Sequence, residues 1–292
     1  MDATGDSGGR RHWGRTACYW PRIGPPLRPC EEDLAFVRDA VREWDGKGTA
    51  PRVLVLGVTP EFWSFPWPQG TDILAVDRSE PMIRAAWPGP RHCVLCADWL
   101  EMALPDASRD IALCDGGLHL LAYPQEQGQL IRRLRGVLSD NGLCILRLYV
   151  PPPRRESSRT VLEDLLAGRV ANLNVLKLRL SMALQKSAEE GVALTSVWAA
   201  VRQVVPDLAA LAAAIGWPAG QAEAFEVYRD SPARYHFVTI EQVRGLFCCE
   251  PGGFDLPCVR EPSCELGGRY PTAVLQRRPR AVSDRDSPRR KP

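Results

Sequence analysis

The stretch that decides the fold is Val53-Leu54-Val55-Leu56-Gly57-Val58-Thr59-Pro60-Glu61. A short apolar run cut off by a glycine reads as a strand buried on both faces. A helix is expected at once, with Thr59 as N-cap and Pro60 at the first helical position. Outward from there the same unit recurs. Ile73–Val76 ends at Asp77, Cys93–Cys96 at Asp98, Ile111–Cys114 at Asp115, and Leu143–Val150 forms a fifth run. Between them, Pro81–Ala86 and Gln125–Leu138 read as helices, the second with Leu130, Ile131, Leu134 and Leu138 on one face. Such alternation predicts an α/β fold: a doubly wound, mostly parallel sheet covered on both sides. Ligands bind such sheets beyond the carboxyl ends of the strands, where four of these five runs finish in Gly or Asp.

Around this core (31–150, opened by an amphipathic helix over Glu31–Trp44) the chain divides further. Residues 1–30 read as a disordered start followed by an aromatic flap. There Trp13, Tyr19, Trp20, Ile23 and Leu27 are interleaved with Pro and Gly too often for a long helix. Pro151-Pro152-Pro153 opens a helical insert or lid, 151–238, helical over Thr160–Ala214 with breaks at Gly191 and Pro206. Residues 239–277 are expected to complete the sheet. They hold a helix capped by Thr239 and an antiparallel hairpin of Phe254–Val259 with Tyr270–Gln276. The end, 278–292, reads as a disordered basic tail.

Composition excludes several classes. Across 292 residues, 45% are hydrophobic and 25% charged, ordinary globular values, and the formal net charge is +2. The basic excess sits at the end, with seven Arg/Lys against two Asp over 276–292. Overall charge therefore gives no reason to expect nucleic-acid binding. No apolar run reaches the roughly 20 residues of a membrane span, and the start lacks a secretory pattern, so a cytoplasmic location is expected. Nothing in the sequence sets an oligomeric state. The ten cysteines are expected to be reduced thiols. Cys93-x-x-Cys96 has no second pair of matching spacing, so no metal is expected.

The ligand follows from Gly57 and Asp77, which lies twenty residues further on. A carboxylate at that position accepts the ribose hydroxyls of a nucleoside lying across the strand ends. A dinucleotide site needs G-x-G-x-x-G, but Thr59 holds the second glycine position and its Cβ obstructs a pyrophosphate. An adenosine-like ligand without phosphates is expected, and S-adenosylmethionine fits that description.

With those residues, 52–150 resembles a class I S-adenosylmethionine-dependent methyltransferase. Val53–Gly57 matches the family's first motif, and Leu74–Ser79 with Met82-Ile83 its second strand and helix start. Cys96-Ala97-Asp98-Trp99 holds the position of an acidic residue facing the adenine amino group. Leu104–Leu113 and Leu134–Leu143 resemble the family's fourth strand and the approach to its fifth. The resemblance implies a Rossmann-like seven-stranded sheet and S-adenosylmethionine as cofactor. It implies cofactor contacts from Gly57, Val58, Thr59, Asp77, Arg78, Met82, Asp98, Trp99 and Asp115. The sequence departs from the family at Val55, where an acidic residue is usual, in keeping Gly57 alone of the glycines, and in the stiff Phe65-Pro66-Trp67-Pro68.

In Asp115-Gly116-Gly117-Leu118-His119, the two glycines would admit a ligand close to the backbone, and His119 is a candidate general base or simply a packed side chain. Tyr149 is the second catalytic candidate. Arg147, in an otherwise apolar strand, needs a partner, either an acidic substrate or Asp115. Tyr228, Tyr235 and His236 line the substrate side or else form the lid's own core. The expected function is methyl transfer to a small-molecule acceptor. The alternatives are a non-catalytic relative that binds S-adenosylmethionine or a protein partner, S-adenosylmethionine chemistry other than methylation, and an NAD-type oxidoreductase.

Overall fold

The computed structural model describes residues 7–44, 46, 48–250 and 252–280. Its main sheet has seven strands in the order β3-β2-β1-β4-β5-β9-β8. They are β1 (Arg52–Leu56), β2 (Asp72–Asp77), β3 (Val94–Cys96), β4 (Arg109–Asp115), β5 (Leu138–Arg147), β8 (Phe254–Arg260) and β9 (Thr272–Arg277). The first five run parallel, and β9 enters antiparallel between β5 and β8, so the expected hairpin closes the sheet.

The sheet is apolar through its whole thickness because neighbouring residues of each strand face different layers. Leu54, Leu56, Ala112 and Cys114 pack toward α5 (Gln125–Val137) and α11 (Ile240–Phe247). Val53, Val55, Ile111 and Leu113 pack toward α2 (Glu31–Glu43), the short α3 (Pro60–Trp63) and α4 (Glu80–Ala86). A third apolar group, including Val161, Leu176, Leu180, Val197 and Phe225, is the insert's own core. The insert comprises α6 (Ser158–Leu166), α7 (Leu173–Leu184), α8 (Leu194–Val204), α9 (Leu208–Ala214) and α10 (Gln221–Phe225). A two-stranded ribbon, β6 (Val192–Ala193) with β7 (Arg234–Tyr235), ties the stretch between α7 and α8 to the insert's C-terminal end. Among the described residues no single helix is long and apolar enough to cross a membrane; the pair α8 and α9 passes only jointly and is bent by 70°.

Four expectations are corrected. Residues Ser7–Ala17 form α1, although Gly8, Gly9 and Gly14 weaken its intrinsic propensity. Its contacts with α4 and with the 3₁₀ turn Glu226–Tyr228 outweigh that cost. Residues 1–6 lie outside the described residues. Strand β5 begins at Leu138, which pairs with Arg109 ahead of a register shift, and ends at Arg147; Leu148 and Val150 still donate to Pro271 and Arg269 carbonyls. The insert is broken at Gly168–Asn172 as well as at Gly191 and Pro206. Finally, Arg278 and Arg280 are anchored. Arg278 donates to the Phe254 carbonyl and to Asp255, and Arg280 to Asp106. The remaining tail, 281–292, lies outside the described residues.

Candidate active site

A cavity of about 170 Å³ opens where the parallel strands end. Its floor is the sheet's carboxyl edge, one wall comes from α1 and the segment after it, and the opposite wall comes from the insert.

The floor begins at Gly57, whose backbone sits at φ +96°, a conformation that side chains disfavour. Its N–H donates to the Val76 carbonyl at 2.8 Å, turning the chain across the end of β2. The next strand ends at Asp77. One carboxylate oxygen, Oδ1, accepts the Ser79 N–H at 2.7 Å, while Oδ2 lies toward Gly57. Ser79, not Asp77, caps α4. Burial pushes the Asp77 carboxyl up to about 6, against the Ser79 N–H and the Arg78 charge. Thr59 stands at the N-cap of α3 and is buried, but its hydroxyl makes no capping bond.

Beside Asp77, Asp98 accepts from Leu100 N–H at 2.8 Å and from Arg78 at 3.3 Å. The Trp99 indole donates to the Val76 carbonyl at 2.7 Å, which lays its ring between Gly57 and Gly117. That ring changes the reason for the glycines after β4. A Cβ at Gly117 would stand 2.4 Å from Cys114 Sγ and 2.9 Å from Trp99. One at Gly116, itself at φ +57°, would stand 2.8 Å from the Tyr149 ring. Both glycines make room for aromatic side chains of the chain itself.

Thirteen of the fifteen residues expected at the site line this cavity: Gly57, Val58, Thr59, Asp77, Arg78, Met82, Asp98, Trp99, Asp115, His119, Tyr149, Tyr228 and Tyr235. Arg147 and His236 do not. Arg147 is buried behind the floor, where it donates to Asp115 at 2.5 Å, to the Pro26 carbonyl at 2.8 Å and to the Tyr149 hydroxyl at 3.3 Å. Burial opposes its charge, but Asp115, Tyr149 and Asp33 reverse the balance and raise its pKa. Its partner is therefore the second of the two anticipated, and the residue ties the N-terminal segment to the sheet. His236 is buried with Nδ1 against the Ala188 carbonyl, and its N–H donates to the His119 carbonyl at 2.7 Å.

His119 is stacked on Phe237 at 5.1 Å and meets Tyr235 edge-on at 4.6 Å. Burial, with His236 and Arg147 nearby, lowers its pKa to about 3, so the ring is neutral at physiological pH. Its Nδ1 has no hydrogen-bond partner among the described residues. Tyr149 donates its hydroxyl to the Pro26 carbonyl at 3.3 Å, and burial raises its pKa.

The aromatic flap does reach the cavity, as Trp13, Tyr19 and Trp20 line it together with His12, Thr16, Ile23 and Leu27. Arg28 fixes the flap's base by pairing with Glu61 at 2.6 Å. Two lining residues stand outside the pattern that pointed to the site: His12, held by Ser231 at 2.9 Å, and Lys177 of α7. The available signal for Lys177 was a lone ammonium inside Leu173–Leu184, a helix apolar nearly all round. Among the described residues no three His, Cys, Asp or Glu side chains are grouped to hold a metal.

Residues 55–146 match the model of the "Methyltransferase domain" family. No curated protein matches the chain in sequence. A protein from Rhodobacter sphaeroides, described as a candidate Zn-dependent alcohol dehydrogenase, shares the fold. Its TM-score is 0.56 at 13% identity, over 91% of this chain and 98% of that one. An S-adenosylmethionine-dependent methyltransferase from Mesorhizobium loti gives 0.45 at 16% identity, over 82% and 96% of the two chains. The 1,6-didemethyltoxoflavin-N1-methyltransferase of Burkholderia thailandensis gives 0.45 at 14% identity, over 96% and 94%.

The donor set suits a nucleoside without phosphates: a carboxylate oxygen turned toward Gly57, a second carboxylate and an indole beside it, and a Cβ at Thr59 where a pyrophosphate would need bare backbone. Residues 55–146 thus match the methyltransferase-domain family, and S-adenosylmethionine is the cofactor that this donor set fits.

Proposed function

We propose that the protein transfers a methyl group to a small-molecule acceptor in the cytoplasm, with 31–150 as the cofactor-binding core and 151–238 as the acceptor side. The observation that carries this reading is the cavity: the cofactor end of the sheet is walled by the N-terminal segment and by the insert. Such walls favour an acceptor small enough to sit between them over a nucleic acid or a protein surface.

Asp77, Asp98 and Trp99 would hold the nucleoside, with Asp77 Oδ2 accepting from the ribose hydroxyls. The bound cofactor supplies an electrophilic methyl group on a sulfonium. The chain's share of the work is alignment and exclusion of water. The aromatic walls strip solvent from the acceptor. His119, neutral and a weak base, accepts a hydrogen bond and orients the acceptor. Tyr149, its hydroxyl tied to Pro26, shapes the wall and keeps its proton.

The test is twofold. Calorimetry should show S-adenosylmethionine binding one to one and NAD failing to bind. Incubation with a panel of small acids, phenols and amines should give a product heavier by one CH₂, seen by mass spectrometry. Tight cofactor binding with no product from any acceptor class would favour the non-catalytic alternative.

A further inference from the structure

The insert's wall carries one feature that the cofactor does not explain. Lys177 sits on α7, in a helix whose neighbouring residues are buried, and it is itself buried while lining the cavity. Its ammonium makes one hydrogen bond, to the Ala224 carbonyl at 3.3 Å, and lies 4.8 Å from the centre of the Tyr228 ring. No carboxylate pairs with it among the described residues. The cavity's carboxylates, Asp77, Asp98 and Asp115, all stand on the floor, and Asp98 and Asp115 already have arginine partners. His12 lies close enough to feel the Lys177 charge and is kept neutral. An ammonium in this setting is largely withdrawn from solvent and has no counter-charge among the described residues, a costly arrangement unless a ligand completes it. Burial lowers its pKa to about 8, so it remains mostly charged at neutral pH.

We propose that Lys177 anchors the carboxylate of an acidic acceptor whose flat, apolar body lies among Tyr149, Tyr228, Tyr235 and His119. This inference rests on the methyltransferase reading and narrows its acceptor to small aromatic acids. It divides the cavity by charge: the floor's carboxylates face a cationic cofactor, and the insert's lysine faces an anionic acceptor. Lysine suits the task because its compact charge needs no planar fork to meet a single carboxylate oxygen. Tyr228 supports it through the face of its ring.

The test uses the whole protein saturated with S-adenosylhomocysteine, with 4-hydroxybenzoate and indole-3-acetate as probes and their methyl esters as neutral controls. At least one acid should bind about tenfold or more tightly than its ester, the effect of one charge-assisted contact. Lys177→Met should remove that preference while S-adenosylhomocysteine affinity stays at the wild-type value. Esters binding as well as acids, or no acid binding, overturns the proposal on wild-type protein alone. Retention of the acid preference in Lys177→Met also overturns it. So does a loss of S-adenosylhomocysteine affinity in that variant, which would put the cofactor's own carboxylate on the lysine. Failure of wild-type protein to bind S-adenosylhomocysteine at all is a separate result, and it removes the methyltransferase reading instead.

Discussion

Asp77 is a carboxylate with two different oxygens: one is committed to Ser79 and the other is turned toward Gly57. Burial gives it a pKa of about 6, and the pH behaviour follows. The folded protein holds a proton there at pH values where the unfolded chain, with an ordinary carboxyl near 4, has released it. Folding is therefore helped by this group below about pH 4, and that help fades as pH rises through about 6. Asp77→Asn should raise the melting temperature at pH 8, measured by differential scanning fluorimetry. Cofactor affinity should run the other way, since ribose hydroxyls need the ionised acceptor: wild-type affinity should fall as pH drops below about 6, and Asp77→Asn should flatten that dependence. Elsewhere in the cavity lining, Tyr149→Phe should cost about 0.5–1.5 kcal/mol in urea unfolding, through loss of the bond to the Pro26 carbonyl. The spacing of Gly57 and Asp77 made this end of the cavity legible in the sequence. Arg147 was half legible: an arginine in a buried strand demands a partner, but only the fold shows that Asp115 and Pro26 supply it. Lys177 showed only as a lone ammonium in an apolar helix; its place in the cavity was not legible, because its contacts, Ala224 and Tyr228, lie about fifty residues along the chain.

Elements whose pattern is set locally were readable. Strands β1, β2 and β4 are continuous apolar runs, and α11 announces itself through a capping box in which Thr239 accepts from Gln242 N–H and the Gln242 side chain accepts from Thr239 N–H. Thr239→Ala should cost about 1 kcal/mol by chemical denaturation. Elements that depend on distant partners were not readable. Helix α1 carries three glycines and exists through its packing on α4 and on the turn at Glu226–Tyr228. The ribbon of β6 and β7 joins segments about forty residues apart. The turn after β4 shows the same limit in reverse: its glycines were visible, but Tyr149 and Trp99 occupy the space beside them. Gly116→Ala should therefore destabilise the fold by more than 1 kcal/mol, through the strained φ and the clash with Tyr149, and calorimetric unfolding would measure it.

At the scale of the whole molecule, three parts meet at one cavity and each is tied to the others. Arg28 with Glu61 and Arg147 with Pro26 join the N-terminal segment to the sheet, and His12 with Ser231 joins it to the insert. A ligand seated between them should stabilise all three together. At a hundredfold excess over its Kd, S-adenosylhomocysteine should add about 2.7 kcal/mol to unfolding, with slower hydrogen exchange in residues 12–29 as well as at the strand ends. The measurement that tests the account most directly is a calorimetric titration of S-adenosylmethionine into wild-type protein and Asp77→Ala. The account predicts one-to-one binding to the wild type and a loss of about 1–3 kcal/mol in the variant. Equal affinity in the two proteins would contradict it.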